Sequence, residues 1–379
     1  MAQTGAPNKA TMATETKRKR IAAVVTTYFT NSHADVIVGK FLRGFPTDDG
    51  LLAAEVDIVS LYMDQLSAAD VGVALARRHG VRICSSIQEA LCLDEGTLAV
   101  DGVLSIGEHG VYASNELGQH VYPRRHFLDQ ITAIIAASGR VVPVYSDKHL
   151  AHTWEDALHI YQRTSSLGIP FMAGSSVPLF WRSPALEPPV GQALETALVV
   201  SYGGVEAYGY HGLELLQSFV ERRPGGETGL RSVQCLEGEA VWEAADEGRW
   251  DTGLGDACVG VVDLSEAGDD ARGSAEGLKL RDACPDAALF LLEYTGKSRA
   301  ICLRLMECDR WLMCFQMGFA RRYCTPGELV GSSTAGRTRP SFRAVRSRPR
   351  GCSQQVLQRP REGCPMAGAR RSRTFPIYL

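Results

Sequence analysis

Asp147, Lys148 and His149 follow one another at the end of an apolar run, Val141-Val142-Pro143-Val144-Tyr145. A strand that ends in charge just before a helix opens is where an α/β sheet places its ligands, beyond the carboxyl ends of its strands. A lysine there is a compact cation whose pKa burial can lower, so it can hold a substrate oxygen and exchange a proton. Asp147 and His149 flank it as candidates for orienting a substrate. The triplet also reads as a solvated turn, since exposed charged turns are common. His149 and His152 stand three apart. With Glu108, His109 and His211 they would offer the imidazole and carboxylate ligands that zinc or manganese takes, as in a metal-dependent isomerase or hydrolase.

The elements that must position these residues alternate regularly. Ile21–Thr27 reads as a buried strand, and Ser32 with Asp35 starts a helix that runs to Gly44. A second strand, Val56–Tyr62, ends at Asp64. Leu75 and its neighbours form a helix stopped by Gly80, Val81–Cys84 is a short strand, and Ser86 with Glu89 opens another helix. Val100–Ile106 is a strand leading to Glu108 and His109. Phe127, Ile131 and Ile135 mark a helix closed by Gly139. Thr153 and Asp156 cap the helix after Lys148, and Ile169–Ala173 is a further strand. Such alternation predicts an α/β fold with a Rossmann-like, doubly wound parallel sheet over residues 20–174.

Beyond Gly174 the rhythm changes. Ala197–Tyr202, Ser232–Leu236 and a hairpin of Ala287–Leu292 with Arg299–Leu305 read as strands, and a helix starts near His211. This predicts an α+β domain over 175–330 with a largely antiparallel sheet, and the glycine-rich, acidic stretch 251–282 reads as a loop. Residues 1–19 read as a disordered tail. Residues 331–379 are rich in arginine, serine and proline, with Glu362 the only acid, a composition expected to stay disordered. A shifted reading frame or an unspliced intron would produce the same contrast with the body.

The 379 residues are 45% hydrophobic and 22% charged, which suits a soluble protein of two domains. A net charge of −3 argues against general nucleic-acid or membrane-surface binding. The eleven cysteines are an odd number without a Cys-x-x-Cys pair, so neither a disulfide framework nor a zinc knuckle is indicated. No secretory signal or membrane-spanning stretch stands out. A cytoplasmic location is the expectation, with organelle targeting left open by the basic run Lys17–Arg20.

Several of these stretches, in order, resemble the Gfo/Idh/MocA-type oxidoreductases, which pair a Rossmann domain with an α+β substrate domain. Leu75–Val81 with Ser86–Leu91 is similar to the passage from that family's second helix to its third strand. Val100–Ile106 with Glu108-His109-Gly110 is similar to its fourth strand and the histidine turn beside the nicotinamide. Asp147-Lys148-His149-Leu150 stands where the family has Glu-Lys-Pro, and Tyr208-Gly209-Tyr210-His211-Gly212 resembles its Gly-x-His segment. The resemblance spans Ile21 to Leu305. It implies NAD or NADP as cofactor and a hydroxylated, sugar- or polyol-like small molecule as substrate. Lys148 would then contact cofactor and substrate and His211 would transfer a proton. Glu108 and His109 would lie beside the cofactor, and Asp147, His149 and Tyr208 beside the substrate. It also implies a homo-oligomer formed on the open face of the second-domain sheet.

The first turn departs from that pattern. It reads Thr26-Thr27-Tyr28-Phe29-Thr30-Asn31-Ser32-His33, with no glycine where backbone must approach a diphosphate. Tyr28 and Phe29 would stand in the route of the diphosphate, while Thr27, Tyr28 and Asn31 are the candidate contacts at a helix end that favours anions. Asp64 would hold an adenosine ribose and favour NAD over NADP, or serve as an exposed turn residue. The absent glycines leave a third possibility beside enzyme and metalloenzyme, a Rossmann-like scaffold that binds without cofactor.

Overall fold

A computed structural model describes residues 18–47, 50–179, 181–183, 189–260, 280–284, 286–295, 299–305, 311–317, 321–323, 344–348 and 373–375. The chain divides at Gly174 into two units, 1–174 and 175–379.

In the first unit β1 (Lys19–Val25) leads to α1 (His33–Arg43) and a small hairpin of β2 (Phe45–Thr47) and β3 (Gly50–Leu52). Then come β4 (Val56–Met63), α2 (Gly72–Arg78), β5 (Arg82–Cys84), α3 (Ile87–Cys92) and β6 (Gly102–Ile106). α4 (Arg124–Ser138), β7 (Val144–Asp147), α5 (Trp154–Ser166) and β8 (Phe171–Gly174) complete it. Six strands run parallel in the order β5-β4-β1-β6-β7-β8. Numbered along the chain that order is 3-2-1-4-5-6, which reverses between β1 and β6 and opens a ligand crevice at the carboxyl ends of the strands there.

The local causes are those the sequence carries. Alternate residues of β1 enter two cores: Ala22 and Val24 pack with Phe127 and Ile131, Ala23 and Val25 with Val38 and Leu61. Both faces are therefore dry, as a parallel sheet requires. Ser32, Ser86 and Thr153 each accept from the amide three residues on, at Asp35, Glu89 and Asp156, which fixes where α1, α3 and α5 begin.

In the second unit β9 (Trp181–Ser183) precedes β10 (Thr196–Tyr202), and a π-helical turn, Val205–Gly209, runs straight into α6 (Tyr210–Val220). β11 (Leu230–Glu237), α7 (Glu239–Asp246), α8 (Thr252–Gly260), α9 (Leu280–Ala283) and β12 (Ala288–Tyr294) follow. The remaining strands are β13 (Arg299–Leu305), β14 (Trp311–Met317), β15 (Arg321–Tyr323), β16 (Ala344–Arg348) and β17 (Arg373–Phe375). They form one sheet, β17-β11-β12-β13-β10-β14-β16-β9 with β15 on β14, antiparallel throughout except where β10 and β13 run parallel.

Two expectations change here. The stretch read as a loop contains α8 and α9, and Leu254 and Leu280 pack beside Trp242 and Trp250; residues 261–279 lie outside the described residues. Apolar burial outweighed the helix-weakening glycines. As a consequence neither face of β10 is open. Leu198 and Val200 lie under α7, α8 and α9, while Ala197 and Val199 lie under α6. Within the arginine-rich segment 331–379, β16 pairs with both β14 and β9, and β17 pairs with β11 at the sheet edge, each through its ladder of backbone bonds. The other residues of that segment, and 1–17, lie outside the described residues.

Candidate functional site

The polar residues gather where β1, β6 and β7 end. Thr26 closes the first strand onto the sixth-strand region, its amide donating to Ile106 O at 3.1 Å and its hydroxyl to the Glu108 carbonyl. The turn from Thr27 to Ser32 then satisfies itself. Ser32 Oγ accepts from the amides of Phe29 and Asp35, each at 3.2 Å, and the Asn31 amide donates to Asp35 Oδ2 at 3.0 Å. Asn31 sits at φ +65°, the left-handed position that asparagine tolerates and most residues avoid. A turn without glycine is possible for that reason.

Tyr28 is not on the ligand route. Its side chain turns inward, fully buried with Val38, Ile58, Leu61 and Leu75. It lies so close to Gly72 that a β-carbon there would stand 2.7 Å from Tyr28 Cβ. Tyr28 is therefore a core residue, and Thr27 is also buried, so of the three candidate contacts Asn31 is the exposed one. Asp64 is exposed, and its carboxylate accepts from the hydroxyls of Tyr62 at 2.9 Å and Tyr112 at 2.7 Å. A ribose would have to compete with both.

Glu108, His109, Asp147 and Lys148 do come together, and they bring partners that motif reading missed. His33, the first residue of α1, sets Nδ1 2.5 Å from Asp147 Oδ2, and the Asp147 side chain is only 6% exposed. The His33 and Phe29 rings meet His109 edge to face, at 5.0 and 5.3 Å between centroids. Glu108 accepts from the guanidinium of buried Arg124, which stacks over Tyr122. His33 had a signal in the sequence: the residue after an N-cap serine, following the first strand, lands at the crevice. Arg124 had none, being one arginine among many until α4 folds it inward.

His109 and Lys148 both adopt left-handed backbone, φ +69° and +70°, without being glycine. Each such residue costs about 1–3 kcal/mol, and the strain tends to collect at functional sites. Burial lowers the pKa of both: for His109 the neighbouring His33 adds to the effect, and for Lys148 the charges of Glu108 and Asp147 oppose it. Among the described residues His109 Nε2 is buried without a hydrogen-bond partner. His149 behaves differently. Its Nδ1 donates to Ala151 O at 2.9 Å, and burial, with Arg124 nearby, lowers its pKa to about 3, which favours the neutral ring. Among the described residues no three His, Cys, Asp or Glu side chains converge in a metal-binding group.

In the second unit His211 is 8% exposed at the start of α6. Its ring lies 6.4 Å from that of Tyr208 and 5.6 Å from that of Tyr210. Its Nδ1 is 2.5 Å from Ser175 Oγ, and Glu214, one turn further along the helix, accepts from the Ser175 amide at 3.2 Å. Ser175 too was invisible in the sequence, being separated from His211 by 36 positions.

A dinucleotide fits the first unit unevenly. The crevice position is right, the unpartnered His109 Nε2 needs a hydrogen-bonding group, and Lys148 and Glu108 stand beside it. At the first turn the fit requires the Asp35 carboxylate to yield the Asn31 amide.

No family model matches the chain, and no curated protein does. Several solved structures are similar in fold. GenD2 from gentamicin A biosynthesis, in complex with NAD, shares 14% identity over 92% of this chain and 84% of its own, at a TM-score of 0.45. Scyllo-inositol dehydrogenase from Lactobacillus casei shares 10% over 86% and 82%, also at 0.45. UDP-N-acetylglucosamine 3-dehydrogenase GnnA from Acidithiobacillus ferrooxidans shares 9% over 79% and 75%, at 0.43. At such identities and TM-scores the likeness stops at the fold, a six-stranded parallel sheet joined to an α+β unit.

Proposed function

We propose that this protein is an NAD(P)-dependent oxidoreductase that interconverts a hydroxyl and a carbonyl group on a small hydroxylated molecule. The observation that carries the reading is the cluster of Glu108, His109, Asp147 and Lys148 at the carboxyl ends of β6 and β7, beside the reversal of strand order. A nicotinamide, when bound, supplies or accepts the hydride, which no side chain can do. Lys148 holds the substrate oxygen and stabilises negative charge that develops on it; its lowered pKa also lets it release a proton more readily than a surface lysine. Asp147, held by His33, fixes the strand end that carries Lys148. Asn31 and His109 hold the cofactor, and the sequence resemblance assigns proton transfer to His211, which has Tyr208 beside it within the second unit. Sugar- or polyol-like substrates are what the sequence resemblance implies.

A second reading rests on the self-satisfied first turn, where a carboxylate already holds the Asn31 amide: a Rossmann-like scaffold without dinucleotide. Fluorescence titration with NADH and NADPH, on the protein and on Asp35→Asn, separates the two. Saturable binding that tightens severalfold in Asp35→Asn supports the oxidoreductase. No binding to either folded protein up to millimolar cofactor would overturn it and leave the scaffold. Lys148→Met, screened against polyols, should then lose at least about a hundredfold in kcat, the scale set by removing one electrostatic group.

A further inference from the structure

Ser175 follows β8 directly and makes three polar contacts. Its amide donates to Glu214 Oε2 at 3.2 Å, its Oγ accepts from the Val177 amide at 3.0 Å, and that same Oγ lies 2.5 Å from His211 Nδ1. A serine hydroxyl has one proton to donate and two lone pairs. The Val177 amide uses one pair. Among the described residues, Nδ1 is the acceptor within reach of the proton. We propose that Ser175 is a positioning residue that sets the tautomer of His211: its hydroxyl donates to Nδ1, so the neutral ring keeps its proton on Nε2 and offers it to a carbonyl oxygen. This deepens the reading above for His211 and names the carbonyl form of the substrate as the one the neutral site receives.

The choice of serine has a chemical consequence. A carboxylate at Nδ1 can only accept, which holds the opposite tautomer and makes Nε2 a standing base. Glu214, three residues on along the same helix face, instead takes the Ser175 amide, and burial raises its own pKa. A hydroxyl can reverse its role by rotating. When His211 is an imidazolium, Nδ1–H donates to Ser175 Oγ. Passing the Nε2 proton to a substrate alkoxide then leaves a neutral ring with Nδ1 still protonated and the alcohol formed. Rotation of the hydroxyl and uptake and loss of one solvent proton restore the resting tautomer. An alanine methyl could do neither.

Two-bond proton–nitrogen correlation spectra of protein labelled with ¹⁵N-histidine test this directly, without cofactor or substrate. The His211 signal is assigned by its loss in His211→Gln. We expect Nδ1 to resonate as an unprotonated, hydrogen-bonded nitrogen and Nε2 as a protonated one. Ser175→Ala should move both toward the averaged positions of a mixed tautomer, and Ser175→Thr should restore them. A protonated Nδ1 in the neutral protein, or spectra unchanged in a folded Ser175→Ala, would overturn the proposal. Since no dinucleotide is present, failure of cofactor binding and failure of this inference are separately visible.

Discussion

Tyr28 shows how far one side chain can depart from its place in a motif. It stands in the turn where a diphosphate is expected, yet its ring is in the core and its hydroxyl is buried without a partner among the described residues. Burying an unsatisfied hydroxyl is costly, so Tyr28→Phe should leave stability unchanged or raise it by up to about 1 kcal/mol. Tyr28→Ala should lower it by about 3–5 kcal/mol, as emptied aromatic core positions do. Urea denaturation of the two variants checks both signs. His33 and Asp147 make the opposite case, a pair 114 positions apart that forms one unit. His33→Ala should cost about 1–3 kcal/mol by leaving a buried carboxylate unpaired. The same change in an Asp147→Asn background should cost less, and a double-mutant cycle measures the coupling.

At the scale of elements, α1 and α2 are tied through the first turn. The N-cap of α1, Ser32, serves two amides, so Ser32→Ala should cost about 1–2 kcal/mol, near the upper end for a cap, with no change in the denaturant slope. Gly72 opens α2 against Tyr28, and a β-carbon there would meet the Tyr28 Cβ, Cγ and Cδ1 at 2.7–2.9 Å. Gly72→Ala should therefore destabilise by about 1–3 kcal/mol through overpacking, despite alanine's better helix propensity. Thermal unfolding would show a lower midpoint; an unchanged or higher one would mean that the turn relaxes. The capped helices were legible in sequence because a cap is local chemistry, four residues long. α8 was not, because its reason for being helical is the packing of Leu254 beside Trp242 and Trp250, contacts that a composition rich in glycine conceals.

For the molecule as a whole, the two units should answer acid in opposite ways. In the first, His149 is held neutral by burial, its pKa lowered from 6.5 to about 3, and His109 is shifted in the same direction. The unfolded chain binds those protons more readily, so this stabilisation is complete above pH 6.5 and is lost as pH falls toward 3, by about 2 kcal/mol at pH 5 for His149 alone. In the second, burial raises Glu221 from 4.5 to about 7 and also raises Glu214. Their contribution is present below pH 4.5 and disappears as pH rises through 7. Hydrogen exchange, corrected for intrinsic rates, should show the core of the first unit loosening between pH 6.5 and 5 while α6 becomes better protected. The same trend in both units would contradict this assignment.

The sequence by itself determined the alternation of strands and helices up to Gly174, the antiparallel bias beyond it, and the charged triplet at the end of β7. These are written in short-range periodicity, caps and apolar runs, each decided within a few residues. Only the tertiary structure decided which of the candidate residues share a place. It put Tyr28 in the core, set two tyrosine hydroxyls on Asp64, joined His33 to Asp147, and seated Ser175 against His211. Such pairings depend on the order in which strands lie side by side and on how each helix is rotated about its axis. Those are outcomes of burial summed over the whole fold, and no local pattern encodes them.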